Sequence, residues 1–153
     1  MNVFEEAAAS LTGLQQLQMM MASGRQPPIC DTLKFALTEV ADGRAVFTGT
    51  PGAHAFNPLG TIHGGYAATL LDSACGCAVH SKLSAVQAYT TLELKLAYHK
   101  AMTAKTGPVR AEATVLSFGR RVAFAEGRLV DAAGTLYVSA TSTLLVMERP
   151  KAT

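Results

Sequence analysis

The sequence predicts an α+β fold in which an antiparallel sheet wraps around one long central helix. Three observations predict it. From residue 63 to about residue 82 the chain is almost entirely small and apolar, the composition of a helix buried on most sides. Two strand-like segments precede this stretch and four follow it, several with strict two-residue alternation. An antiparallel sheet with one apolar face needs a cover, and the central helix is the element long enough to supply it.

Each element has its own signal. Leu11, Leu14, Leu17 and Met21 recur at helical spacing and predict a helix over 2–23, ended by Gly24 and Pro27–Pro28. Thr32–Glu39 and Arg44–Thr50 read as strands joined by the hairpin turn Asp42–Gly43. Pro51–Ile62 is a glycine- and proline-marked loop, and His63 to about Lys82 is the central helix. Thr91–Tyr98 alternates with its leucines on one face, and Val109–Val115 alternates in the same way. Gly119 permits a turn into a strand over Arg121–Val130. Asp131–Gly134 turns into a last strand, Leu136–Met147, and the tail after Pro150 is expected to be loose. The chain of 153 residues is expected to be one domain, 1–153, with its core over about 30–148.

Composition narrows the function. Hydrophobic residues make up 49% and charged residues 16%, with a net charge of +2. So little surface charge points to burial in an oligomer. The charge is too mild for nucleic acid, and no aromatic stripe exists to stack bases, but an anionic small ligand is allowed. Cys30, Cys75 and Cys77 lack a C-x-x-C spacing and read as free, small hydrophobes, as in a reducing cytoplasm. The acidic start, Met1 to Glu6, does not resemble a signal peptide, and no stretch reads as a membrane span. The expected location is therefore cytoplasmic, with no membrane partner. His54, His63, His80 and His99 show no metal-ligand spacing, so neither a metal nor a cofactor is expected. Phosphate-binding glycine motifs and a nucleophilic-serine elbow are absent.

Asp72 carries the chemical signal. No other Asp, Glu, Lys or Arg occurs between Arg44 and Lys82. A carboxylate in an apolar helix is costly unless it is hydrogen-bonded, paired or used. At the helix entry, His63-Gly64-Gly65 offers unpaired N–H groups and the positive end of the helix dipole, which suit an oxyanion. Asp72 lies eight residues beyond Gly64, ~12 Å along the axis, too far for the two to serve one reacting centre within one chain. The spacing favours a site between two antiparallel subunits. The plainer alternatives are that Gly64-Gly65 is only a turn and that Asp72 only bonds to backbone.

The run Asn57-Pro58-Leu59-Gly60-Thr61-Ile62-His63-Gly64-Gly65, followed by Leu71-Asp72-Ser73-Ala74, resembles the signature of the hotdog-fold acyl-CoA thioesterases. It is most similar to the phenylacetate-degradation (PaaI-like) branch of the 4-hydroxybenzoyl-CoA thioesterase superfamily. Thr91–Tyr98 and Gly119-Arg120-Arg121 extend the likeness, which spans roughly 30–147. The resemblance implies a hotdog fold and hydrolysis of an acyl-CoA thioester, with coenzyme A part of the substrate. It assigns Asp72 as nucleophile or as the base that activates water. Gly64 donates its backbone N–H to the thioester carbonyl, Asn57 holds the water or the carbonyl, and His63 supports the helix entry and the thioester. Thr91 matches a hydroxyl position near the acid. Strict alternation places Thr91 opposite the leucine face and makes Thr90 the competitor, a choice that a bulge decides.

Gly65, Lys100, Arg120 and Arg121 are candidates to bind coenzyme A, with Lys105 and Arg110 as further cations. Phe56, Tyr66 and Met102 are candidates to line the acyl pocket. The implied assembly is a homotetramer, a dimer of dimers with sites between subunits. The rivals are a non-catalytic acyl-CoA-binding module, a hotdog dehydratase or hydratase, and a structural partner protein. The acyl group, aryl or aliphatic, stays open.

Overall fold

A computed structural model of the chain describes residues 10–149. The helix expected over 2–23 runs from Gly13 to Ser23 (α1). Residues 2–9 of that expectation, and the tail after Pro150, lie outside the described residues. The start at Gly13 has a local cause. Thr12 and Gln15 form a reciprocal capping box that satisfies two helix-end donors, and Gly24 ends the helix in the left-handed conformation.

The first strand differs from its expected range. Pro28 opens a short helix, Pro28–Leu33 (α2), which absorbs Thr32 and Leu33. A proline is well suited to the first helical turn, where its missing N–H costs nothing. Lys34 then reverses the chain with φ 57°, and β1 runs Phe35–Ala41. The turn at Asp42–Gly43, with Gly43 at φ 73°, leads into β2, Arg44–Gly49. The following loop holds one 3₁₀ turn at Ala53–Ala55. The central helix (α3) is Gly64–His80. The remaining strands are β3, Gln87–Tyr98; β4, Val109–Phe118; β5, Val122–Asp131; and β6, Leu136–Glu148.

All six strands form one antiparallel sheet in the order β1-β2-β4-β5-β6-β3, and α3 packs against every one of them. This is the hotdog arrangement. A row of small residues runs across the face that receives α3: Ala45 pairs with Ala113, Ala113 with Gly127, and Gly127 with Ala140. A Cβ on Gly127 would lie 3.0 Å from Leu71 Cδ2, so this glycine lets the helix sit close to the sheet. Leu70, Leu71, Ala74, Ala78 and Val79 of α3 are fully buried over that row.

On the other face, β1, β2 and β4 carry Glu39, Arg44, Arg110 and Glu112 in a closed ring of ion pairs. Two arginines, Arg110 first and then Arg44, hold the Glu39 carboxyl at about 2, well below the usual carboxylate range. Arg110, expected as a coenzyme A ligand, is committed to this ring instead. The cause is register: Thr48 pairs with Arg110 and Val46 with Glu112, which lines the charges up beside Glu39.

The two sheet edges differ. β1 is flanked by α1 and α2 and is bulged between Leu37 and Glu39. The outer edge of β3 has no strand partner among the described residues.

α1 docks on the far end of α3 through buried polar groups. Gln16 Oε1 accepts from His80 Nε2 and from Arg149 Nη2, each at 2.9 Å, and Gln16 Nε2 donates to the Leu11 carbonyl. Burial, and then the charge on Arg149, lowers the His80 pKa from 6.5 to about 4. The unfolded chain therefore binds a proton between pH 6.5 and 4 that the folded chain refuses, and stability falls as pH drops through that window. Denaturant unfolding measured from pH 7 down to pH 4 is expected to lose up to ~3 kcal/mol from this group. In His80→Gln that part of the slope should disappear; an identical slope would remove His80 as its source.

Candidate functional site

The entry to α3 is built by its own loop. Asn57 Oδ1 accepts from the N–H groups of Leu59 (2.9 Å) and Thr61 (3.2 Å), and its Nδ2 donates to Thr61 Oγ1 at 2.8 Å. Short polar side chains favour such local bonds to nearby backbone. Ile62 N–H donates to the Met102 carbonyl and His63 N–H to the Ala55 carbonyl, which fixes where the helix begins.

His63 is the N-cap: its Nδ1 accepts from Gly65 N–H at 2.8 Å and its carbonyl accepts from Tyr66 N–H at 3.0 Å. Gly64 N–H has no acceptor among the described residues. The first turn of the helix thus leaves this donor open at the positive end of the dipole. Gly65, expected to bind ligand alongside it, has its N–H occupied by His63.

Gly64 faces a groove of about 320 Å³ that Asn57, Thr61, Tyr98, Lys100 and Met102 also line. Tyr98 was not foreseen here; its hydroxyl donates to the Gly64 carbonyl at 2.8 Å. Of the residues expected in an acyl pocket, Met102 lines this groove. Tyr66 is buried in the core, and Phe56 is partly exposed and bridges to Ile62.

Asp72 lies midway along α3 and is half-buried. Sequence alone describes α3 as apolar nearly all round and hence buried. In the structure its small residues form a half-buried stripe, Gly65, Ala68, Thr69, Asp72 and Ser73. The sheet covers only one side of the helix, and the bulky leucines take that side. Asp72 Oδ1 accepts from Thr91 Oγ1 at 3.0 Å.

A bulge decides between the two threonines. Thr91 pairs with Leu144 and Glu93 with Thr143, so Leu92 is the extra residue, 58% exposed. Thr91 therefore shares the helix-facing side with Leu94, Leu96 and Tyr98, while Thr90 is exposed on the opposite side.

The candidates fall into two groups. Asp72 and Thr91 lie near the start of β5, since Ala123 and Thr91 both pair with Leu144. Arg120 and Arg121 are exposed in the turn just before that strand. Asn57, His63, Gly64 and Lys100 gather where Tyr98, at the end of β3, meets the start of α3, and Gly64 is eight residues from Asp72, ~12 Å along the helix axis. Lys100 Nζ sits over the Tyr137 ring, 5.5 Å from its centroid, and Lys105 is exposed in the following loop.

Cys30, Cys75 and Cys77 are free, and burial pushes their thiols up to about 11, 12 and 12, respectively, the chemistry of inert packing groups. Among the described residues no cluster of three His, Cys, Asp or Glu could hold a metal, and no helix is long and apolar enough to cross a membrane.

Comparison with known proteins adds a family. The model of the Thioesterase superfamily matches residues 59–138. A conserved protein from Pseudomonas aeruginosa is 28% identical, with a TM-score of 0.74 over 80% of this chain and 95% of its own. A variant of the phenylacetic acid degradation protein PaaI from Thermus thermophilus is also 28% identical, with a TM-score of 0.71 over 78% and 98%. A thioesterase family protein from Silicibacter pomeroyi is 24% identical, with a TM-score of 0.77 over 90% and 99%, a likeness of fold. The curated proteins contain no match to the sequence.

The cap can be tested apart from any chemistry. Replacing His63 with Ala should cost about 1 kcal/mol in urea unfolding, because Gly65 N–H loses its acceptor, and His63→Asn should recover most of it. Equal stability of all three proteins would mean that His63 is not the cap.

Proposed function

The chain belongs to the Thioesterase superfamily, and from that premise we propose that it hydrolyses an acyl-CoA thioester to a free acid and coenzyme A. The observation that carries the reading is Asp72, held by Thr91 on a half-buried helix face beside the edge of β3 that has no strand partner among the described residues. A long free edge is a template for pairing with a second chain. If two copies pair along β3 about a twofold axis, their central helices run antiparallel. The Asp72–Thr91 end of one chain then meets the Gly64–Asn57 end of the other.

In such a composite site each group has a role. Gly64 N–H donates to the thioester carbonyl oxygen as negative charge develops there. Asp72 of the other chain either takes a proton from water as that water attacks the carbonyl carbon, or attacks the carbon itself to form an anhydride that water opens. In both routes the C–S bond breaks, and the thiolate leaves and is protonated by solvent. Asn57 and Thr61 form the wall against which water or carbonyl is held. Thr91 keeps the carboxylate oriented. Lys100 of one chain and Arg120 and Arg121 of the other flank the same cleft, where the phosphates of coenzyme A need cations. Pairing of such dimers into a homotetramer, and a cytoplasmic location, belong to this proposal. The kinship with PaaI from Thermus thermophilus supports the PaaI-like branch.

Free-thiol release from a panel of aryl and aliphatic acyl-CoAs tests the reading. Asp72→Asn is expected to bind coenzyme A as wild type does and to lose ~10³-fold or more in kcat. Thiol release at the wild-type rate from Asp72→Asn would sink the mechanism. Binding without release by wild type would leave an acyl-CoA-binding module.

Mixing Asp72→Asn with a Gly64→Val variant tests the shared site. Two inactive parents are expected to recover up to about a quarter of wild-type activity, from hybrids with one intact site out of two. No recovery, with hybrids demonstrated by mass, would overturn the shared site.

A further inference from the structure

We propose that Tyr98 is a positioning residue that holds Gly64 in the conformation that presents its N–H to the substrate carbonyl. The inference rests on the thioesterase reading for its chemistry, but its geometry stands alone. Gly64 opens α3 with no side chain to restrain it, and glycine explores more backbone conformations than any other residue. A donor that binds a developing oxyanion is useful only if it is already aimed. The restraint has to come from outside the residue.

Tyr98 supplies it in two ways. Its hydroxyl donates to the Gly64 carbonyl at 2.8 Å. Its ring covers the same residue: a Cβ on Gly64 would lie 3.1 Å from Cε1, Cζ and Oη of Tyr98. The glycine and the ring are therefore complementary, and any side chain at 64 would push the ring away. Tyr98 is not part of the core, being 54% exposed at the end of β3. A phenol keeps its proton at neutral pH, and burial raises the Tyr98 pKa further in the same direction, so the hydroxyl is a donor. Tyr98 also reaches Gly64 for the same reason that Thr91 reaches Asp72. Both lie on the helix-facing side of β3, and the bulge at Leu92 is what puts them on one side.

Tyr98→Phe keeps the ring and removes the hydroxyl. In the thiol-release assay it should lower kcat about tenfold and leave KM within about twofold, the pattern of an interaction that matters in the transition state. Its thermal midpoint should match wild type. With ¹⁵N-glycine labelling, the Gly64 amide should lose order on the nanosecond scale, and the other glycines should not.

Unchanged kcat, or a raised KM at unchanged kcat, would overturn the proposal; the second result would make Tyr98 a wall of the ligand groove. An unchanged Gly64 amide would overturn it whatever the kinetics. Wild-type protein that releases no thiol would defeat the thioesterase reading instead, and the Gly64 amide would then decide the role of Tyr98 by itself.

Discussion

The seating of α3 on a row of small residues is the constraint from which the rest follows. Ala45, Ala113, Gly127 and Ala140 leave a shallow trough across four strands, and Leu71 settles onto Gly127. Close contact fixes the helix's rotation, because turning it would drive leucines off the trough and small residues onto it. Packing of this kind is felt to within a methylene. Rotation in turn decides which residues are left outside the leucine contact. Gly65, Ala68, Thr69, Asp72 and Ser73 stay half-buried beside the packed leucines, with Asp72 against Thr91 of β3, so the position of the carboxylate is a product of how the leucine side of the helix packs.

β3 carries the second constraint. One extra residue at Leu92 shifts the phase of the strand, so Thr91 and Tyr98, seven apart, lie on the same side. Without the bulge an odd spacing would send them to opposite faces. Two side chains on β3 then touch α3: Thr91 at Asp72, midway along the helix, and Tyr98 at Gly64, its first residue. The strand acts as a ruler laid along the helix.

What the sequence disclosed and what it hid separate along physical lines. Periodic burial is local and repetitive, so α3, the six strands and the Asp42–Gly43 turn were legible from residue pattern. Asp72 was legible because a single carboxylate among small apolar residues demands a reason. The bulge was not, since leucines at 92, 94 and 96 imitate a regular strand and only pairing with β6 exposes the extra residue. The fate of Arg110 was equally hidden. Its partners Glu39 and Glu112 are brought together by three strands, and cation candidates chosen by order along the chain carry no such information. α2 was readable in principle from Pro28, yet the β-branched Thr32 beside apolar Leu33 favoured a strand. Tyr98 could have been reached by anyone who placed the bulge, because its phase follows from that of Thr91.

The separation of the two groups argues for more than an inconvenient distance. Within one chain, Gly64 N–H and the Asp72 carboxylate sit at opposite ends of an open stripe, and no rotamer change can bring them to one carbonyl carbon. In the proposed reading a carboxylate close to the oxyanion donor would also compete for it: the open N–H would bind Asp72 itself, and that hydrogen bond would make the carboxylate a weaker base. A site that keeps them apart in the chain and joins them only on assembly, as proposed, would avoid that internal short circuit. In the proposed composite site each helix contributes its donor end to one cleft and its carboxylate to the other. Activity and association along β3 are then one equilibrium, and any change that weakens strand pairing lowers turnover without touching a reacting group.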